Sequence, residues 1–149
     1  MSEVYQMYKH ILIATDGSDL AASAVKHGVR LAKSLDAKVT AVTVSEPFHW
    51  FDAHMVEGAE TAYTEGANRT AASVLGTVAD AARTAGISCE TIHLENEFPY
   101  KGIIDTAKAK DCDLIVMASH GRQGMAAILL GSQTAKVLTH SAIPVLVCH

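Results

Sequence analysis

Residues 113–132 are DLIVMASHGRQGMAAILLGS, a strand, a loop and a helix start in twenty residues. Leu114, Ile115, Val116 and Met117 form an unbroken apolar run, the pattern of a central parallel strand buried on both faces. The chain then turns polar and flexible at Ala118, Ser119, His120 and Gly121. It passes Arg122, Gln123 and Gly124 and closes on Gly131 and Ser132, which open a helical segment over 133–140. Strand, glycine-bearing loop, helix: that order aims free backbone N–H groups and a positive dipole end at one point, and a phosphate suits such a point. Gly121, Gly124 and Gly131 stand where a backbone must turn left-handed or approach a ligand closely, and Ser132 adds a hydroxyl. Glycine loops also occur simply as turns. The chain has no GxxxxGK[ST] and no GxGxxG after its first strand, which disfavours lysine-loop ATPases and ordinary dinucleotide enzymes.

Outward from this stretch, strands and helices alternate. KHILIA (9–14) is a short apolar strand broken by Thr15-Asp16-Gly17-Ser18. Ser18 or Asp19 caps a helix to Leu35, with Leu20, Ala24, Gly28, Leu31 and Leu35 expected on one face. KVTAVTV (38–44) is a second β-branched strand. A loop over 48–57 holds the only tryptophan, Trp50, beside Phe51. An Ala-rich helix is expected over 57–85 with Gly86 as its stop; Gly66 and Gly76 inside it each weaken it by about 1 kcal/mol relative to Ala and mark places for a kink. SCETIHL (88–94) alternates like a strand at a sheet edge. Pro99 starts a helix running to Lys110 with Ile103, Ile104 and Ala107 inward, and Val137 and Leu138 carry the last helix inward. Pro144 to Cys148 (PVLVC) is the final strand.

The helices are long enough for every crossover to be parallel and right-handed. The expected fold class is therefore α/β: a three-layer, doubly wound, five-stranded parallel sheet of Rossmann-like type, strand order 3-2-1-4-5, in one domain over 1–149. Ligands of such sheets bind beyond the carboxyl ends of the strands where strand order reverses, here between the first and fourth strands. Asp16 ends the first strand beside the glycine loop. A carboxylate repels phosphates, so it is suited to ribose hydroxyls, to a divalent ion held between, or to capping the following helix.

Composition sets the outer limits. A 49 % hydrophobic and 19 % charged chain suits a sheet covered on both faces, and net charge −4 with no basic run leaves nothing from which to build a nucleic-acid surface. Three cysteines, Cys89, Cys112 and Cys148, are odd in number and lack CxxC spacing, which reads as buried thiols in a reducing compartment. No apolar run reaches the ~20 residues of a membrane span and the first ten residues make no signal peptide, so a soluble cytoplasmic protein is expected. The eight histidines include no i, i+4 zinc pair; His49 and His54 share a loop. His120 sits in the glycine loop, where touching a ligand and shaping the backbone are both open to it.

These residues resemble the universal stress protein family, whose nucleotide-binding members carry Gly-x2-Gly-x9-Gly-[Ser/Thr] after the fourth strand. The pattern falls on Ala118, Gly121, Gly131 and Ser132. The opening ILIATDGS, the SHGRQG loop, LLGSQTAKVL and the closing IPVLV extend the likeness over the whole chain. The resemblance implies a fold like that of the adenine nucleotide alpha hydrolases and a bound adenine nucleotide: ATP, with or without Mg2+, or AMP or ADP. It implies that Ala14, Thr15 and Asp16 meet the adenosine end, that Val44 meets the adenine through its backbone, and that Met117 packs beside it. Gly121, Gly131, Ser132 and Gln133 would cradle the phosphates with main-chain N–H groups. Arg122 either assists or stands as a solvated loop charge. It also implies a homodimer paired through the strand from Pro144 to Cys148, and a sensor or effector role in stress response.

One position departs from the pattern, since Ala118 replaces its first glycine. If φ there is positive, alanine costs about 1–2 kcal/mol, up to ~30-fold in affinity; if negative, the methyl only narrows the approach. Two other readings stand beside the nucleotide sensor. One is a nucleotide-free dimeric interaction module. The other is a slow ATPase or a kinase acting on its own Ser132, although TDGSD after the first strand lacks the glycine pair of the ATP pyrophosphatases and no general base is evident.

Overall fold

The computed structural model describes residues 5–49, 56–121 and 130–149. Strands and helices alternate as β1 (His10–Ala14), α1 (Asp19–Leu35), β2 (Lys38–Ser45), α2 (Ala59–Ala85), β3 (Cys89–Glu95), α3 (Pro99–Ala109), β4 (Leu114–Ala118), α4 (Ser132–His140) and β5 (Val145–Cys148). The sheet is parallel throughout, in the order β3-β2-β1-β4-β5. The sequence pattern implies this α/β architecture, and the structure has it. Strand alternation divides the core in two. Ile11, Ile13, Val39, Ala41, Leu114 and Val116 meet Val25 and Val29 of α1 and Leu75 and Val78 of α2. Leu12, Ala14, Val42, Ile115 and Met117 meet Ile103, Ile104 and Ala107 of α3 and Val137 of α4 on the other face.

The face of α4 differs from expectation and that of α1 matches it in part, with Ala24 and Gly28 buried as expected. On α1 the buried residues are Ala21, Ala24, Val25, Gly28, Val29 and Ala32, whereas Leu20, Leu31 and Leu35 are only half-buried. A Cβ on Gly28 would lie 2.8 Å from Ile13 Cδ1, so the helix approaches the sheet too closely for leucines at its centre and they flank it instead. On α4, Thr134 and Val137 point inward, and Leu138, one step of about 100° further round, is 41 % exposed rather than inward. Helix α2 begins at Ala59, two residues later than the pattern suggests, and runs unbroken through Gly66 and Gly76 to the left-handed Gly86 (φ 74°). Burial of Ala71, Leu75, Val78 and Ala82 outweighs the weak propensity of the two glycines.

The edges of the sheet differ in kind. Charged Glu90 and Lys110, 2.8 Å apart, guard the β3 side, while β5 presents half-buried Val145, Leu146 and Val147. At the opposite end of the sheet from the glycine loop, the Asp113 carboxylate accepts the N–H groups of Lys9 and His10, and His10 Nε2 lies 2.6 Å from Thr40 Oγ1. Cys112 is buried, as the composition suggests, but Cys89 and Cys148 are only half-buried at the sheet margins. No helix among the described residues is long and apolar enough to cross a membrane. Trp50, Phe51 and His54 lie outside the described residues, as does Arg122.

Candidate functional site

Where strand order reverses, a cleft of about 1000 Å³ opens at the carboxyl ends of β1, β2 and β4. Ala14, Thr15, Asp16, Val44, Met117, Ala118, Gly121, Gly131, Ser132 and Gln133 line it, while Arg122 and Gly124 lie outside the described residues.

The β1 corner is a tight turn. Thr15 N–H donates to Val42 O at 3.0 Å, the last rung between β1 and β2. Gly17, left-handed at φ 79°, donates its N–H to Thr15 Oγ1, and the Asp16 Oδ1 atom accepts Ser18 N–H at 2.9 Å. Ser18 Oγ, not Asp19, then caps α1 by accepting Ala21 N–H. With the cap supplied by Ser18, the Asp16 carboxylate is left to shape the turn and line the cleft.

Val44 contributes its backbone. Lys38 N–H donates to Lys9 O, and Val42 O accepts from Thr15, so even-numbered residues of β2 turn their peptide groups toward β1. Asn96 N–H donates to Ser45 O, so odd-numbered ones turn toward β3. Val44 is two residues beyond the last rung. Its N–H and C=O therefore face the side where β1 has already ended, at the cleft wall. One donor and one acceptor side by side can pair with the edge of a base.

The opposite end of the cleft is the start of α4. Gly131 is the N-cap and carries no side chain to cap with, which leaves the amides of Ser132, Gln133 and Thr134 as the donors the helix offers. The Gly131 N–H itself donates to Ser119 O at 2.6 Å. Gly131 thus serves the corner by its small size: its backbone is extended (φ −67°), but a Cβ would lie 3.3 Å from Ser119 O and 3.4 Å from His120 Cα. Gln133 Oε1 accepts Tyr100 N–H at 3.0 Å, fixing α4 against α3. Ala118 is buried against Ala21 and Ala24 and is not among the described residues with positive φ, so alanine there carries no left-handed strain.

Sequence reasoning missed two parts of the site. Thr134 is buried and its hydroxyl donates to Ala118 O at 2.8 Å, tying the first turn of α4 to the end of β4. Helix α2 supplies a whole wall through Ala62, Tyr63, Gly66, Ala67 and Thr70, with Tyr63 Oη donating to Glu46 O at 2.6 Å. The small residues at 62, 66 and 67 were the available signal, one turn apart on one helix face. Among the described residues no cluster of three metal-ligating side chains occurs, and Asp16 is the carboxylate at the β1 corner.

A parallel five-stranded sheet in the order β3-β2-β1-β4-β5, helices on both faces and a cleft at its switch point define the class: a doubly wound α/β protein. Residues 7–149 match the Universal stress protein family, and the chain belongs to it. It is 37 % identical over 143 residues to the universal stress protein MJ0531 of Methanocaldococcus jannaschii, spanning 95 % of this chain and 82 % of that one. Its fold is similar to the solved structure of the hypothetical protein MJ0577 (TM-score 0.80, 29 % identity, 95 % of this chain and 96 % of that one). It is also similar to a universal stress protein solved in complex with cAMP (TM-score 0.73, 27 % identity, 95 % and 97 %).

Proposed function

We propose that this universal stress protein binds an adenine nucleotide in the β1–β4 cleft and acts as a stress-response sensor or effector through the conformation the nucleotide stabilises. The observation that carries the reading is the disposition of backbone groups. The Val44 peptide edge stands on the β2 wall, the amides of Ser132 and Gln133 at the α4 end, and the Asp16 carboxylate at the β1 corner. That is a donor–acceptor pair for a base, donors for phosphate and an acceptor for ribose hydroxyls. Met117, buried beside Val42 and Ile103, gives the base an apolar wall. The cAMP complex of a relative supports an adenylate as the ligand class. ATP is the cellular form we assign; Asp16 is the residue that would hold an accompanying Mg2+ in place of the ribose hydroxyls, since Mg2+ takes one or two carboxylates plus phosphates; AMP and ADP share the other contacts. Ala118, free of left-handed strain, speaks for a binding protein rather than a nucleotide-free module.

Two copies would pair through the half-buried apolar edge strand β5, making a homodimer in the cytoplasm. Titration calorimetry of the full chain with ATP, AMP and cAMP tests the nucleotide reading. Saturable binding in the micromolar range is expected, and lack of saturation up to millimolar nucleotide refutes it.

A further inference from the structure

Helices α1 and α2 cover one face of the sheet without closing on each other, and between them runs a groove of about 860 Å³. Its apolar lining is Ala22, Val25 and Val29 of α1 with Val74, Val78 and Ala81 of α2. Nothing there is larger than valine, so no side chain fills the seam. Val25, Val29 and Val78 are buried at its floor. Along α2 the lining runs from Arg69 to Thr84, roughly 22 Å at the helical rise. The rim is basic. Lys26 and Arg30 stand one turn apart on α1 and Arg69 stands on α2. The ion pairs among the described residues, Arg83–Asp80 and Lys110–Glu90, use none of these three. Asp80 is the one acid among the described lining residues, and Arg83 engages it. A chain of net charge −4 thus gathers three cations without an acidic partner around one apolar groove.

We propose that the α1–α2 groove is a second ligand site, for a single-chain amphiphile with an acidic head: a free fatty carboxylate. Its chain lies along the valine floor and its carboxylate is taken by the rim of Lys26, Arg30 and Arg69. The stems of those cations and the methyl of Thr77 extend the apolar walls while the charged ends stay at the opening. Each methylene laid against this lining adds affinity in proportion to the area it removes from water. The rim selects the head, since a carboxylate gains charge-assisted hydrogen bonds there and a cationic head is repelled. With the floor already so nearly closed, a chain one methylene wide follows it better than an α-helix, ~10–12 Å across with its side chains. The groove meets the nucleotide cleft at Thr15, Thr70 and Val74, which line both, but its three cations line the groove alone. The site therefore stands apart from the adenine-nucleotide reading and does not rest on it.

The probe is decanoate, held below its micelle concentration and titrated into the full chain at pH 7.5, with backbone amide NMR shifts as the readout. Saturable shifts are expected at Lys26, Arg30, Thr77 and Thr84, which line the groove and not the cleft. Dodecanoate should bind about 5-fold tighter than decanoate, from two more methylenes in a groove open on one side. Decyltrimethylammonium, with the same chain and the opposite charge, should not saturate. Lys26→Gln combined with Arg30→Gln removes two exposed charges, leaves the floor intact and should weaken decanoate about 10-fold. Thr77→Glu, another exposed change, sets a carboxylate in the groove and should weaken it as much. The site is overturned if decanoate fails to saturate, if decyltrimethylammonium binds equally well, if the shifts are confined to the β1–β4 cleft, or if the paired glutamine variant binds undiminished. None of these results touches the nucleotide reading, which cAMP and ATP calorimetry decides separately.

Discussion

Asp16 and Gly121 meet across the corner of the cleft: a Cβ placed on Gly121 would lie 2.6 Å from Asp16 Oδ2. The other oxygen of that carboxylate is held by Ser18 N–H. A methyl group at 121 therefore forces the carboxylate to swing off the turn or away from the cleft. Gly121→Ala should lower ATP and cAMP affinity about 10-fold, the loss of one hydrogen bond to a charged group. Because residue 121 is exposed and its φ is not left-handed, the denaturation midpoint should change little. Unchanged affinity in calorimetry would remove Asp16 from the binding site.

Ala118 stands where the family pattern has glycine, and its methyl is buried against Ala21 and Ala24. Removing it leaves a gap under α1 and frees a strand-end backbone. Ala118→Gly should destabilise the fold by about 1–2 kcal/mol in urea unfolding, from lost methyl burial and added chain entropy. Nucleotide affinity should rise by less than about 3-fold, since there is no backbone strain to relieve. A 30-fold gain would mean that the methyl obstructs the ligand directly.

The strand pattern and the corner were legible in the sequence because central parallel strands leave continuous apolar runs and glycine loops interrupt them sharply. LIVM at 114–117 and ILIA at 11–14 have no other comfortable setting than a sheet covered on both faces. The inward face of α1 was legible in part: Ala24 and Gly28 are buried as expected, but hydrophobicity gave no sign that Leu20, Leu31 and Leu35 would stand half-buried at its margin. Only the 2.8 Å approach of Gly28 to Ile13 shows why small residues take the middle. Leu138 misled in the same way: beside Val137 it looks equally apolar, but adjacent helical residues cannot share one narrow face. Thr134 gave no signal, because a threonine near a helix start reads as surface until its acceptor, Ala118 O, is known. The α2 wall depends on the distance between elements that periodicity does not encode.

Cys112 is the most deeply placed of the three thiols, and burial pushes it up to about 11, with Thr40 as a hydrogen-bonding neighbour and Asp113 nearby. At pH 8 about one thiol in a thousand would then be the reactive thiolate. Alkylation of Cys112 in the folded protein should be roughly 100-fold slower than that of an ordinary exposed cysteine. Peptide mapping after timed iodoacetamide treatment at pH 8 measures it. Labelling of Cys112 at the rate of an unfolded control would show the β4 foot to be open. Cys89 and Cys148, raised less by partial burial, should label ahead of it.

His10 sits on the sheet floor against Thr40 with only 7 % of its surface exposed. Burial, with Lys38 adding to it, holds its imidazole below the usual histidine value of 6.5, against the opposing pull of the Lys110 carbonyl, Asp113 and Glu90. Above 6.5 the ring is neutral in both folded and unfolded chains, and it contributes nothing to pH dependence. Below 6.5 the unfolded chain takes up the proton and the folded one resists it, so stability is lost as pH falls toward the depressed folded value. Urea midpoints should therefore be lower at pH 5.5 than at pH 7.5. His10→Gln, which cannot titrate, should shrink that difference while lowering the midpoint at pH 7.5, since the Thr40 contact is weakened. Carboxylates also begin to titrate at the acid end, so the decisive quantity is the change in slope between the wild type and His10→Gln over this interval. Identical slopes would mean that the folded ring takes up its proton as readily as the unfolded one, with Asp113 balancing burial at the foot of β1.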